Sequence, residues 1–397
     1  MKPPVSALIA GLLLSFSALN AQQRTGIDPL LQQSGSNLQY GINEQQISRS
    51  QTLIRSAGML PKTGVFAENE DVRPSDNKGI LKIGVTQSIA WPGLYAAQKK
   101  VYSEELAYYQ LNTKQLDADI RRRTRAVYYQ LWFLQDKQKL FARLDSLYRS
   151  LAQAATLKVK TGDTPGLDSI AANVRLQEIE AQRQQVMRDM EIQQRALQQL
   201  LNTNMVYLAE DKKLEKLTPL GAIDSLHPLM ALRQQQIDIA SASVNVARNE
   251  NRPEFSGRFF SQRLYGMRDP FSGFSVSAAF PLFGRGAMRQ KVKAAQQEVA
   301  VQQKQLAYQQ QLFETEKEQA AKEVEKNNSL LKFYETAGLR QADAIISAAG
   351  LAYRAGEISF AELSQYLSQA IDIQRNYLEQ LNAYNQSVIH YDYFLHP

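Results

Sequence analysis

Two passages from a strand-like run into a long helix-like run constrain this chain more than any other feature. IGVTQSIAWPGLYAAQKKV spans residues 83–101, and FSVSAAFPLFGRGAMRQKV spans residues 274–292. In both, large and small side chains alternate with a period of two up to a proline, and a long pattern typical of a helix follows. An ordinary layered α/β domain does not contain helices as long as the ones that these passages begin. We therefore interpret the two halves of the chain as structural repeats.

The repeat sets the domain boundaries. We predict a signal peptide over 1–21, a first repeat over 22–203, a linker or equatorial segment over 204–226, and a second repeat over 227–397. Each repeat is expected to hold a helix, a strand pair, a long helix and a return helix. In the first repeat the last three cover 61–91, 94–160 and 168–203, and in the second they cover 253–283, 287–355 and 361–392.

The N-terminal residues have the pattern of a cleavable secretory signal. Lys2 precedes an apolar run from Val5 to Leu19, and cleavage is expected near Ala21. A run of about 15 apolar residues is too short to cross a bilayer comfortably, so a signal is favoured over an anchor. Nothing later has the roughly 18 unbroken apolar residues of a membrane-spanning helix. If the mature chain crosses a membrane, its strands must do so as a β-barrel.

Composition argues against catalysis and against metal or nucleic-acid binding. The 397 residues include no Cys and three His, and none of the His has a metal-ligand spacing to another. No paired carboxylates, nucleophile with a base, or phosphate-binding loop stands out, so we expect no enzyme, no cofactor and no metal site. The net charge is +7, and the densest run of basic residues is Arg121, Arg122, Arg123 and Arg125. Asp117 and Asp119 precede this run and Asp136 follows it in the same predicted helix, which favours a solvated helix face over a nucleic-acid surface.

The predicted strands place apolar side chains on one face and polar ones on the other. An alternation of this kind over about ten residues is typical of transmembrane β-strands. Loops rich in Pro, Asp, Asn and Gly over 70–78 and 265–272 would join the strands as hairpins. Four strands cannot close a barrel, so several chains must contribute to one. The apolar faces are Ile83, Val85, Ile89 and Trp91 in the first repeat and Phe274, Val276, Ala278 and Phe280 in the second.

The long helices indicate rods rather than globular domains. A helix over 94–160 would be roughly 100 Å long at about 1.5 Å per residue. Spacings of four and three between apolar residues indicate coiled-coil packing against the return helices. Toward the turns the apolar stripe becomes rich in Ala, for example at Ala155 and Ala348. Small residues would let the helices approach closely at this end, although Ala is also simply the best helix former.

The two turns between long and return helices are built alike. Gly162 and Gly356 suit left-handed helix ends. An acid follows each glycine by six residues, Asp168 in one turn and Glu362 in the other. These acids either stabilise a helix N-terminus through its dipole, or line a charged gate or cation-attracting mouth beside Lys160 and Arg354.

On these residues the chain resembles the TolC family, the outer-membrane channels of tripartite efflux pumps and type I secretion. The resemblance covers nearly all of the mature chain, and the stretch FFSQRLYGMRDPFSGFSVSAAFPLFGRG is similar to the branch serving heavy-metal pumps of the resistance-nodulation-division class. It rests on the repeated passages SIAWPGLYAAQKK and AAFPLFGRGAMRQKVKAAQQE and on the repeated tips TGDTPGLDSIAA and AGEISFAELSQYLSQA.

The resemblance implies a homotrimer in outer-membrane lipid. Each chain would give four strands to one 12-stranded barrel and its helices to a periplasmic tunnel. The joint between barrel and tunnel would lie at Pro92, Gly93, Pro281 and Gly284. A periplasmic adapter would dock at the tips, and an inner-membrane pump would supply the energy. The docking and gating residues would be Gly162, Leu167, Asp168, Gly356, Phe360 and Glu362, with Lys160 and Arg354 beside them.

The function implied is a passive exit duct for metal cations or small toxic compounds. A type I secretion channel is the alternative within the same family. A periplasmic coiled-coil adapter is the alternative from another class, although adapters usually carry one helical hairpin between β-rich modules. A secreted coiled-coil protein without a pore is a third possibility.

Overall fold

The computed structural model describes residues 22–396 apart from 74–77, 163–164, 211, 222–226, 269 and 282–283. The predicted signal peptide lies outside the described residues. The described chain is mainly helical with a small β part, which confirms the predicted fold class at that level.

The first half begins with a short strand and two helices and continues into a strand pair and a helical hairpin. Asn37 starts the second helix by accepting a hydrogen bond from the Gln39 amide at 2.9 Å. The elements are β1 (Gln22–Arg24), α1 (Ile27–Gln33), α2 (Leu38–Ser56), β2 (Gly64–Arg73), β3 (Lys78–Ile89), α3 (Pro92–Thr161) and α4 (Gly166–Leu201).

The second half repeats the order helix, strand pair, long helix and return helix. Its long helix is interrupted by a π-helical turn, Tyr334–Gly338, which the sequence pattern did not predict. Gly338 is buried there, and a Cβ at this position would lie 3.1 Å from the Tyr334 ring. The elements are β4 (Val206–Leu208), α5 (Pro228–Asn249), β5 (Glu254–Leu264), β6 (Phe271–Ala279), α6 (Arg285–Phe333), α7 (Leu339–Ala355) and α8 (Phe360–Leu395).

The strands of the described residues form two sheets. β1 pairs with β4 in parallel, a short contact that was not predicted. The other four form an antiparallel sheet in the order β2-β3-β5-β6, so the strand pairs of the two repeats meet at β3 and β5. In the described part of the chain, none of the helices combines the length and the apolar character that a membrane-spanning helix needs.

The chain divides into two compact units. The helical unit comprises the described parts of Met1–Ser34, Arg123–Lys216 and Leu330–Gln386. Its core is the predicted apolar stripe of α3, where for example Leu131 and Tyr148 are buried, together with the facing residues of α4 and α8.

The sheet unit comprises the described parts of Gly35–Arg122, Leu217–Ser329 and Ser387–Pro397. It contains the four-stranded sheet and an aromatic cluster built on Phe313 and Phe394, whose ring centres lie 5.1 Å apart. His227 packs against Phe313 and starts α5, because its Nδ1 accepts the Leu229 amide at 3.2 Å.

Candidate functional site

One face of the four-stranded sheet is apolar and exposed. Its register places Val85 directly between Val65 on β2 and Phe259 on β5, and Phe259 beside Phe274 on β6. The exposed fraction reaches 79% at Val65 and 81% at Phe274. Ile83, Ile89, Phe255 and Val276 share this face, as the alternation of the sequence predicted.

The opposite face is polar and better protected. Lys82 contacts Glu70 at 2.7 Å, Arg258 pairs with Glu68, and the hydroxyls of Ser256 and Ser277 lie 2.7 Å apart. On β2 from Gly64 to Glu68, and on β5 from Phe255 to Leu264, the residues of this face are half-buried and those of the apolar face are exposed. The sheet therefore shows the reverse of the usual arrangement, in which the apolar side is covered.

The first strand-to-helix joint is tight. β3 ends at Ile89, and Pro92 is the first residue of α3, where a missing N–H costs no helical hydrogen bond. The Leu94 amide donates to the Trp91 carbonyl at 2.8 Å. A Cβ on Gly93 would lie 2.9 Å from the Trp91 ring, so a larger residue would force the ring away.

The second joint is longer. β6 ends at Ala279, Pro281 follows, and α6 begins at Arg285 after residues 282–283, which lie outside the described chain. Gly284 has a φ of +84°, a left-handed conformation that favours glycine. Its carbonyl accepts the Met288 amide at 3.1 Å.

Pro92 and Pro281 lie beyond the same cross-strand row, that is, the same line of paired residues on neighbouring strands. Ile89 and Ala278 each pair with Phe255. Pro92 and Pro281 are each three residues beyond that row. The sequence predicted equivalent joints, and the register gives both the same position relative to the sheet.

The first tip joins α3 to α4. Gly162 ends α3 with a φ of +79°. Lys160 is exposed, and Leu167 has 70% of its surface exposed. Asp168 lies in the first turn of α4, and its carboxylate has no hydrogen bond to another of the described residues.

An apolar stripe continues from the first tip along α4. Leu167, Ile170 and Val174 are spaced by three and four residues and are exposed by 60% or more. Residues with this spacing lie on one side of a helix. Leu157, near the end of α3, is exposed as well.

The second tip joins α7 to α8. Gly356 ends α7 with a φ of +78°, and the Glu357 amide closes the turn on the Ala352 carbonyl at 2.9 Å. Arg354 folds back on the same helix, because its Nε donates to the Gly350 carbonyl at 3.1 Å. Phe360, in contrast to Leu167, is buried.

Glu362 forms a capping box with Ser359. The Ser359 amide and hydroxyl each donate to the Glu362 carboxylate at 2.8 Å, and the Glu362 amide donates back to the Ser359 hydroxyl at 3.3 Å. The Ser359 amide, and then its hydroxyl, hold the pKa of this carboxyl below its usual value. The Ser-x-x-Glu pattern of residues 359–362 is the sequence signature of this motif. The carboxylate therefore stabilises the start of α8.

The two tips are in contact. The Lys158 ammonium lies 4.4 Å from the centre of the Tyr353 ring, and that ring meets the Phe360 ring edge to face at 6.2 Å. Further along, Arg175 of α4 donates to the Ser368 hydroxyl of α8 at 2.9 Å. The structure thus brings Gly162 and Gly356 to one end of the helical unit, and Lys158 and Tyr353 are contact residues that the sequence did not reveal.

A strap over 206–210 and 212–216 crosses the helices of the same unit and was predicted only as a linker. The Leu214 amide donates to the buried Asp136 carboxylate at 2.7 Å, and the Trp132 indole donates to the Lys212 carbonyl at 3.1 Å. Lys216 contacts Glu335 of the π-helical turn at 3.1 Å. Across the described residues, no three His, Asp or Glu side chains are grouped in a way that could hold a metal ion.

Comparison with known proteins gives structural matches and no sequence matches. Neither a family model nor a curated protein matches the sequence. The outer-membrane channel CmeC of Campylobacter jejuni superposes with a TM-score of 0.79 at 13% identity, over 93% of this chain and 85% of that one.

Two further channels give similar values. The Vibrio cholerae outer-membrane protein VceC has a TM-score of 0.73 at 13% identity, over 93% of this chain and 95% of its own. CusC, whose structures concern folding and transmembrane channel formation, has a TM-score of 0.75 at 13% identity, over 94% of this chain and 95% of its own. Likeness of this extent establishes a shared fold.

Proposed function

We propose that this chain, which has the fold of TolC-type outer-membrane channels, is the outer-membrane exit duct of a tripartite efflux system. Three chains would each contribute four strands to a 12-stranded barrel. Their long helices would form the periplasmic tunnel. The duct would be passive, and an inner-membrane pump would supply the energy.

The inverted sheet is the observation that carries this proposal. Val65, Phe274 and Val276 are each at least 75% exposed, whereas Lys82 and Arg258 lie on the protected face. Water disfavours such a face, but lipid favours it. Both edges, β2 and β6, are also unpaired within the described chain. A closed ring of copies would pair these edges and direct the polar face toward a lumen.

The tips are proposed to receive a periplasmic adapter. The exposed apolar stripe at Leu167, Ile170 and Val174 supports docking at the first tip. Phe360 supports the turn from within instead, because it is buried against Tyr353. Gly162 and Gly356 are required for the sharp reversals.

Asp168 and Glu362 are proposed to give the mouth of the duct its negative charge. The capping role of Glu362 does not remove that charge, since its lowered pKa keeps the carboxyl ionised at neutral pH. Lys160 and Arg354 would flank the acids. Metal cations or small toxic compounds would be the cargo, and the branch resemblance favours heavy metals.

The first experiment tests location and assembly. The full-length protein should be recovered in the outer-membrane fraction and should migrate as a heat-modifiable trimer. The purified trimer should form channels in planar bilayers. A soluble monomer without channel activity would contradict the proposal and would favour a coiled-coil protein without a pore.

The second experiment uses neighbouring residues on opposite faces of β6. Val276→Lys places a charge on the face proposed for lipid, at a cost of about 2–4 kcal/mol near the bilayer midplane. Ser275→Lys places the same charge on the polar face. We expect Val276→Lys to lose most of the assembled trimer and Ser275→Lys to retain it. Equal yields would argue against a lipid-facing apolar side.

A further inference from the structure

Phe66 and Phe260 lie in one row of the polar face of the sheet, and Phe271 lies in the neighbouring row. The register aligns Phe66, Gly84, Phe260 and Gly273 in one row across all four strands. Aromatic residues and glycines therefore alternate along this row. The next row toward the helices contains Thr86, Arg258 and Ser275, and is polar.

The glycines leave room for a ring to lie along the sheet. A Cβ on Gly273 would lie 2.8 Å from Cζ and 2.9 Å from Cε2 of Phe260, so this ring occupies the space of the missing side chain. A Cβ on Gly84 would lie 2.8 Å from the Phe260 Cβ. Phe260 thus covers its glycine neighbour on β6 and remains only half-buried.

Phe66 is held in a different way. The Arg258 guanidinium stacks 3.9 Å from the centre of its ring, and Arg258 is itself paired with Glu68. The ring is half-buried. A charged partner on one side fixes the ring on the polar face, where apolar packing does not require it.

The charges around the row are paired. Arg258 pairs with Glu68, and Lys82 pairs with Glu70. A solute passing this row would therefore meet little net charge from these four groups. Both rings are only half-buried, so the aromatic surface that Arg258 and the sheet leave open remains as the attractive element. That surface carries partial negative charge and favours cations and other flat rings.

We propose that Phe66 and Phe260 form a contact site for cargo, selective for organic cations that carry a planar aromatic ring. The inference rests on the proposed function, because it needs the polar face to line a lumen. In a trimer the site would comprise six rings at one level of the barrel. The proposal therefore adds aromatic organic cations to the metal cations already considered as cargo.

The test compares two probes of equal charge and similar size on single channels of the full-length trimer. Benzyltrimethylammonium has a flat aromatic ring, and (cyclohexylmethyl)trimethylammonium has a puckered saturated one. We expect the aromatic probe to reach half-block of the current at a concentration about threefold to tenfold lower. Equal half-block concentrations in the wild type would overturn the proposal and leave the channel function intact.

Variants then locate the site. Phe260→Leu and Phe66→Leu keep apolar volume but remove the flat ring, and each should bring the ratio of half-block concentrations toward one. Phe274→Leu, on the apolar face, should leave the ratio unchanged. A preference that survives in the double Phe66→Leu, Phe260→Leu channel would overturn the assignment. Absence of any channel in the wild type would overturn the proposed function and this inference with it.

Discussion

The Lys158 ammonium lies 4.4 Å from the centre of the Tyr353 ring, and this contact joins the end of α3 to the end of α7. The two residues belong to different repeats, so the tips of the two helical hairpins are linked within one chain. The link lies directly beside the glycines that end both helices. Any movement that separates the hairpin tips must break it.

We expect Lys158 and Tyr353 to be coupled energetically. Lys158→Met and Tyr353→Leu each remove one side of the cation–π contact, and the double variant should show a coupling of about 0.5–1 kcal/mol. Urea unfolding of the four proteins measures it. As a control, the double-mutant cycle of Lys160→Met with Tyr353→Leu should give a coupling free energy near zero.

The two tip acids should respond differently to neutralisation. Glu362→Gln weakens the capping box, so the Ser359 amide should exchange its hydrogen several-fold faster than in the wild type. Asp168→Asn should lower cation selectivity in bilayers without speeding amide hydrogen exchange at the first tip. Selectivity that is unchanged in Asp168→Asn would leave this carboxylate with a helix-start role only.

Acid should destabilise the protein through His227. Burial lowers the pKa of this imidazole below its ordinary 6.5, although its bond to the Tyr393 carbonyl and nearby Asp119 act in the opposite direction. The unfolded state then binds the proton first, so stability is full above pH 6.5 and falls as the pH drops below it. Protonation would also remove the Nδ1 acceptor that caps α5.

Urea midpoints at pH 7.5 and pH 5.0 measure this dependence. His227→Asn keeps a capping acceptor that does not titrate, and its midpoint should change less between the two pH values. Some dependence should remain, because burial and then Arg122 lower the pKa of His390 as well. A variant with the pH dependence of the wild type would exclude His227 as its source.

The strap should depend on Asp136. Asp136→Ala leaves the buried Leu214 amide without its acceptor, at a cost of about 1–3 kcal/mol. Protease should then cleave within 206–216, and Asp136→Asn, which retains an acceptor oxygen, should be intermediate. Asp372→Ala removes a more exposed pair with Arg375 and should cost at most about 1 kcal/mol.

Two adjacent alanines of α7 separate packing within the chain from packing between chains. Ala349 is buried, and Ala349→Leu should cost about 1–3 kcal/mol through overpacking. Ala348 is exposed in the single chain. Ala348→Leu should therefore leave monomer unfolding unchanged and disturb trimer assembly or leave the channel ajar. A stable trimer with native current would refute close packing at this position.

The features that could be predicted from sequence are those with a local cause. A proline has no N–H to donate to the ladder and suits the first turn of a helix, so Pro92 and Pro281 located both joints. Alternation with a period of two assigned Val85 and Phe274 to the correct face. Gly162 could be placed because a left-handed helix end favours glycine over other residues.

The unpredicted features depend on contacts between distant residues. β1 and β4 are three residues each, and their pairing joins Gln22 to Val206, which no local pattern encodes. The π-helical turn contains no proline, and Gly338 in it has an ordinary helical φ of −59°. The contact between Lys158 and Tyr353 depends on how two hairpins pack, and the spacing of residues along one helix does not report that.

The shared row at Ile89 and Ala278 has a consequence for how the chain can change in length. An insertion between Ile89 and Pro92 would move Pro92 away from the position that it shares with Pro281 relative to the sheet. The segment after Ala278 would need the same insertion to restore the shared position. Hairpin loops and tips carry no such constraint, because no pair of joints after them has to keep equal distances from a shared cross-strand row. Insertions and deletions should therefore be tolerated singly at the loops, and only in pairs at the joints.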